Sequence, residues 1–429
     1  MISAAAEAHD PRLQDARAEM RAAQMQWAST PVRERLGVIR ELRHLISENA
    51  AALADAAGAP GERPRAEKLV SEVLPLADAC RWLERCAARV LAPRVYGESG
   101  SPFWMRKVSF EVQRQPFGIV LVIGPGNYPF FLPAVHSLHA LAAGNAVALK
   151  PAPGTSGAAL AFARLASKAG LAPALLAILP EPIGSVREAI AAGVEKVIFT
   201  GSSENGREVL ALLAETNTPS VMELSGKDAV IVLSDADLDL VVRALRFGTR
   251  LNGGLTCIAP RRLIVAQSVA GDLAARLSAA RVPGLLIERV RDEAGALLRA
   301  NAGDFGLGAS IFSRDEAKAR AMAARIQSGF VLINDLIVPT ADPRLPFGGV
   351  KASGFGATRG EDGLLEMTFQ HVVAIRRGGA YPHFDEPASD DARLFAAYIR
   401  AAHGRRRLAA MPEFLRALLG KAKSRKDSP

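Results

Sequence analysis

Between residues 1 and about 92, apolar positions recur at helical spacing, as at Leu36, Ile39, Leu42, Leu45 and Ile46, and predict a helical region. The peptide APGERP (59–64) interrupts it with turn chemistry. Residues 96–115 are mixed, and the alternation in KVSFEVQ predicts strands of a hairpin or arm. From Phe117 the texture changes to short apolar runs alternating with helical ones. FGIVLVIG (117–124), NAVALK (145–150), LLAIL (175–179), VIFTG (197–201), SVMEL (220–224) and AVIVL (229–233) read as strands. Helical patterns at 131–144, about 155–169, SVREAIAAGV and SENGREVLALLAE lie among them. That alternation predicts an α/β fold with a doubly wound parallel sheet, helices covering both faces.

A helix from Leu240 leads into NGGLTCIAPRR (252–262), RRLIV (261–265) reads as a strand, and a helix follows to about Arg281. A second α/β stretch ends near Phe369, and QHVVAIRR (370–377) reads as a terminal strand. Behind the linker GGAYPHFDEPASDD, the last 45 residues are helical and basic.

With 429 residues, about half of them hydrophobic, the chain has material for two or three domains. The net charge of +9 raises nucleic acid as a partner, but its distribution excludes it. From Arg405 onward eight Lys/Arg face two acids, so the tail alone supplies two thirds of the excess. The body is near neutral and shows no basic stripe interleaved with aromatics. Three cysteines, Cys80, Cys86 and Cys257, form neither a disulfide framework nor a zinc spacing, and point to a reducing, cytoplasmic setting. The N-terminal peptide is not a secretory signal, and no apolar run reaches the roughly 18 residues of a transmembrane helix.

Five peptides carry possible chemistry, and each also admits a plain structural reading. GPGNYP (124–129) follows a strand and lacks the GxGxxG fingerprint, but it sets Asn127, a neutral donor, at the carboxyl edge of the sheet. TGSSENGRE (200–208) is either an ordinary helix start with Ser202 as N-cap or a pyrophosphate turn. Its Arg-Glu ending rules out a Walker nucleotide triphosphatase. Glu223 in VMELSGKD is a surface acid or a base facing the crevice. Cys257 is an inert thiol or a nucleophile. LPFGGVKASGFG (345–356), with four glycines, is a site of close backbone packing or a lid.

Taken in order, GPGNYPFFL, ALAAGNAVALKP, KVIFTGSSENG, MELSGKDAVIVLSDADLD, NGGLTCIAP and LPFGGVKASGFG resemble the aldehyde dehydrogenase superfamily over residues 116–377. The wording of IGPGNYP and TCIAP is most similar to the shorter members that take fatty, aromatic or long-chain aldehydes. The resemblance implies a Rossmann-like NAD(P)-binding domain (1–95 and 116–245) and a smaller α/β catalytic domain (246–365). It further implies an oligomerisation arm (96–115 and 366–384), followed here by the basic helical tail (385–429). The implied reaction is oxidation of an aldehyde to a carboxylic acid with NAD or NADP as cofactor and no metal. Cys257 matches the nucleophile, Asn127 the side chain that holds the oxyanion, and Glu223 the general base. Lys150 matches the contact to the adenosine ribose, and Gly201 and Ser202 the pyrophosphate turn. Gly124 and Leu224 complete the expected cofactor-binding set, and Gly226 lies in the family's E-L-G-G-K peptide.

The departures from the family pattern are specific. Gly126 stands where a tryptophan usually precedes the asparagine, and Leu255 where a glutamine is usual. Ser225 replaces the first glycine after Glu223–Leu224. Pro153 replaces the acid three residues after the cofactor lysine, leaving NAD against NADP open. After about residue 281 a long family segment is deleted together with its E-x-F-G-P motif, whose glutamate holds the nicotinamide ribose. Glu288 lies nearby but outside any such motif, so the role is not transferred to it. The retained residues imply an active dehydrogenase; the departures leave open a homologue acting as a binding or structural partner, or an acyl-thioester or acyl-phosphate reductase. A homodimer or larger homo-oligomer is expected through the arm. The amphipathic spacing of the basic tail suggests either a packed or solvated tail or contact with an anionic membrane surface.

Overall fold

The computed structural model describes residues 11–58, 63–102, 105, 107–282, 285–378, 381–384, 386–388 and 391–424. Most of the 59–64 turn and parts of the 378–391 linker lie outside the described residues. Among the described residues, those of 1–95 with 111–373 make one compact unit, and those of 96–110 with 374–429 a second.

In the larger unit a six-stranded sheet runs in the order Gly354–Phe355, Ser220–Glu223, Lys196–Thr200, Ile119–Ile123, Ala146–Lys150, Leu176–Ile178. The last five are parallel and the 354–355 edge strand is antiparallel. Ile119–Ile123 and Ala146–Lys150 are buried at every position, as a sheet covered on both faces requires. Strand order steps outward both ways from Ile119–Ile123, which opens a crevice at its carboxyl end. The helix Phe131–Ala143 is buried all round. Its start is fixed by Glu72, wholly buried, which accepts the N–H groups of Phe130 (2.9 Å) and Phe131 (3.0 Å) and pairs with Arg63. In the N-terminal region Val32–Glu48 buries Leu36, Ile39, Leu42 and Ile46 against the same core.

A second, all-parallel sheet has the order Leu286–Val290, Pro260–Ala266, Asp228–Val232, Gly308–Phe312, Phe330–Ile333. Separate apolar clusters cover its two faces. This corrects the boundary expected at 245/246. The chain leaves the first sheet after Glu223, because AVIVL pairs with 260–266 and 308–312 rather than with SVMEL. Two buried parallel strands have the same apolar signature, so spacing does not say which sheet each joins. Val108–Pro116 and Thr368–Arg376 belong to a three-stranded sheet with Arg94–Tyr96. Among the described residues, those of 374–429 fall into one unit with those of 96–110. In that second unit the helices Asp391–His403 and Arg407–Ser424 pack together, with the Tyr398 and Phe414 rings 5.5 Å apart and Arg400 paired to Glu413 at 2.6 Å.

Candidate active site

The loop that presents Cys257 is shaped by three successive left-handed residues, Asn252, Gly253 and Gly254, at φ 54°, 60° and 76°. Glycine reaches this region freely and asparagine better than most residues, which explains the sequence Asn-Gly-Gly. Asn252 is wholly buried. Its N–H donates to Glu67 Oε1 (2.9 Å) and its Nδ2 to the Asn127 carbonyl (2.7 Å). In return Asn127 Nδ2 donates to the Leu255 carbonyl (2.8 Å), and the Tyr128 and Thr256 hydroxyls are 2.7 Å apart. The GPGNYP and NGGLTC peptides are therefore stitched to each other on either side of the thiol.

Cys257 is half-buried and lines two cavities. The larger, about 550 Å³, is the crevice at the carboxyl edge of the first sheet. It brings together Cys257, Glu223 and Asn127 with Lys150, Gly201 and Ser202, and Gly124 and Leu224 also line it. The departures Gly126, Pro153, Ser225 and Leu255 face the same space. The smaller, about 410 Å³, is apolar and shares Leu132, Glu223, Thr256, Cys257 and Phe347 with the first. Among its lining residues Val70, Leu74, Phe247 and Val338 are exposed, so its mouth has an apolar rim.

Glu223 is buried; Thr358 donates a short hydrogen bond to its Oε1, and Thr200 Oγ1 donates to Oε2 at 3.3 Å. Burial pushes its carboxyl upward, while Arg359 and the two hydroxyls pull it down. His136 Nε2 stands 4.0 Å away, but desolvation holds its pKa near 3, so it is neutral. The Cys257 thiol is pushed up to about 12, first by desolvation and then by the Glu223 and Asp228 charges, against the pull of Arg359. The resting sulfur is thus a thiol at neutral pH.

The residue that sequence reasoning missed is Arg359. Its buried guanidinium lines the apolar cavity with Cys257 and Glu223, lies 4.6 Å over the Phe347 ring, and donates to the Thr340 carbonyl at 2.6 Å. Thr358, Thr200 and Asp228 were missed as well. Asp228 is buried, with its carboxyl raised well above the usual range by desolvation. Nothing in ATRGEDG distinguishes a buried arginine from a solvated one. Glu288, by contrast, pairs with Arg262 at 2.8 Å and lines neither cavity.

The crevice fits a dinucleotide. Ser202 caps the helix Ser203–Thr216, its Oγ accepting from Asn205 N, so that helix presents its N-terminus at the cavity. At Gly201 a Cβ would fall 2.6 Å from the Phe199 ring, so only glycine leaves the backbone bare there. Lys150 is buried along its stem and lowered by desolvation, with Glu181 pulling it back. Glu181 itself is held near 2 by the Ser156 hydroxyl (2.6 Å) and the Gly154 and Ser156 N–H groups (2.8 and 2.9 Å).

A doubly wound sheet with a bare helix N-terminus, and a second α/β half that carries a cysteine into the crevice, defines a dinucleotide-type enzyme fold. The aldehyde dehydrogenase family model matches residues 1–282 and 281–373, and the chain belongs to that family. It is 30% identical to the 4,4'-diapolycopene aldehyde oxidase of Methylomonas sp, over 81% of this chain and 79% of that protein. Among solved structures, a Mycobacterium tuberculosis aldehyde dehydrogenase complexed with NAD+ superposes with TM-score 0.79 and 24% identity, covering 86% of this chain and 91% of that one. An E. coli NADP dependent enzyme superposes with TM-score 0.79 and 24% identity, covering 86% and 90%.

Proposed function

We propose that the protein oxidises an apolar aldehyde, long-chain or aromatic, to its carboxylic acid with NAD(P)+, using Cys257 as nucleophile. The observation that carries this reading is the position of Cys257 where the glycine-lined crevice meets the apolar cavity. The Cys257 S–H adds across the aldehyde C=O, sulfur to carbon and proton to oxygen, and the Asn127 amide with the Cys257 N–H holds that oxygen. NAD(P)+, when bound, supplies the hydride acceptor. Glu223 takes the proton of the water that cleaves the resulting thioester, and the burial that pushes its carboxyl upward makes it a stronger base than an exposed carboxylate. Lys150, Gly201, Ser202, Gly124 and Leu224 hold the cofactor, and the Methylomonas relative supports an extended apolar substrate. Pro153 leaves the place of the usual acid empty, and the carboxylate charge that does reach Lys150, that of Glu181, favours NAD over NADP. The exposed edge strand Thr368–Arg376 favours pairing with a second copy.

Purified protein given NAD+ or NADP+ and a panel of aldehydes should produce reduced cofactor. Cys257→Ala should abolish it, and unchanged turnover in that variant would sink the assignment. A second reading, a cofactor-binding homologue without turnover, is favoured by the missing E-x-F-G-P motif and by the break of the family match at residues 281–282. NAD(P) titration by calorimetry separates the two: binding with no turnover of any aldehyde supports the second.

A further inference from the structure

We propose that the helical hairpin of residues 391–424 is a docking element for an anionic lipid surface. Its inward side is already occupied. Ala397 and Ala401 are buried, Leu394, Tyr398 and Phe414 are half-buried, and the Arg400–Glu413 pair closes the packed seam. What stays outside is apolar. Leu408, Met411, Leu415 and Leu418 are 87%, 38%, 48% and 40% exposed, and their spacing of three, four and three residues puts them on one face of the helix. Leu419 (67%) widens that stripe, and Phe395 and Ile399 form an exposed pair one turn apart on the companion helix. A continuous apolar stripe left in water marks an interaction surface rather than scattered surface carbon.

Charge selects the occupant. Residues 391–424 hold eight Lys/Arg against two acids, Asp391 and Glu413, and Glu413 is already paired. Arg405, Arg406 and Arg407 are all exposed where the two helices join. A second copy seated on this face would bring like clusters together and be repelled. Anionic headgroups attract the same clusters while the leucine stripe enters the acyl boundary and Arg416 reaches back to the headgroups. No described helix is long and apolar enough to cross a membrane, so the mode is lying on the surface. The inference goes beyond the aldehyde reading and does not rest on it.

The test uses the full chain, co-sedimented with vesicles of phosphatidylcholine alone or with about one third phosphatidylglycerol. The expected result is a bound fraction about tenfold or more higher on the anionic vesicles, falling steeply as salt is raised. Leu415→Glu with Leu419→Glu should lose that binding, and so should Arg405→Ala with Arg406→Ala and Arg407→Ala. These are exposed side chains, so an unchanged melting transition shows that loss of binding is not loss of fold. Equal binding to both vesicle types, binding to neither, or anionic binding unaffected by both variants would each overturn the proposal. Aldehyde turnover without lipid reads the enzymatic proposal separately.

Discussion

The two cavities that meet at Cys257 are built of different materials. One is walled by backbone and short polar groups at a sheet edge, Gly124, Gly201, Ser202 and Gly226 among them. The other is walled by Phe131, Phe247, Ile337 and Val338, with one buried cation at its base. Bare backbone suits a charged ligand that needs N–H groups, whereas an aromatic wall holds whatever water rejects. The contrast separates a constant part of the chemistry from the part that chooses a substrate. Only the shared residues, Cys257 and Glu223 above all, must satisfy both.

Changes to shared residues should therefore be the most damaging. Glu223→Gln removes the base for thioester cleavage, with an expected loss of roughly 10²–10⁴ in steady-state rate. A rapid first turnover should survive, and stopped-flow detection of about one reduced cofactor per site would show it. Loss of that first turnover as well would place Glu223 earlier in the reaction. Arg359→Met comes next. The guanidinium holds both the Cys257 thiol and the Glu223 carboxyl down, so its removal lets both rise. The thiolate-dependent limb of the pH–rate profile should move to higher pH, and the rate near pH 7.5 should fall about tenfold. Arg359→Lys should recover part of that loss, and a profile that does not move in Arg359→Met rejects the electrostatic role.

Within one cavity the effects should be smaller and selective. Phe247→Asn at the apolar mouth should lower kcat/KM for decanal by about tenfold while leaving propanal nearly unchanged. An equal loss for both aldehydes would deny that this cavity holds the chain. Behind the polar crevice, Glu181→Gln, acting through Lys150, should reduce the preference for NAD+ over NADP+ several-fold without altering aldehyde preference, read as the ratio of kcat/KM for the two cofactors.

The first sheet was legible because its strands are buried on both faces and read as unbroken apolar runs. All eight expected site residues line one crevice because they travel in short peptides at strand ends, where local sequence and position in the fold coincide. Sheet membership of 228–232 was not legible, since pairing partners lie 30 or more residues away. Arg359 and Glu181 were illegible for a related reason. Their meaning comes from neighbours remote in sequence, Cys257 and Glu223 for the one and Ser156 and Lys150 for the other. The glycine peptide 345–356 left packing and lid equally open. At Gly354 (φ 108°) a Cβ would fall 1.8 Å from the Met222 carbonyl, which decides for packing at that point.

Gly354–Phe355 pairs with Met222 and Glu223, so a segment from late in the chain completes a sheet begun more than 200 residues earlier. During synthesis the strand that carries Glu223 must wait, its edge unpaired, until the whole second sheet has left the ribosome. An open edge of this kind invites pairing with other chains. A fragment ending before residue 345 should consequently be expressed yet aggregate, although it holds Cys257, Glu223 and Asn127 and lacks only Phe347, Thr358 and Arg359 from around them. The two largest sheets, separate in space, are thus one indivisible event in folding, and a nascent chain gains its base in working form only near the end of translation.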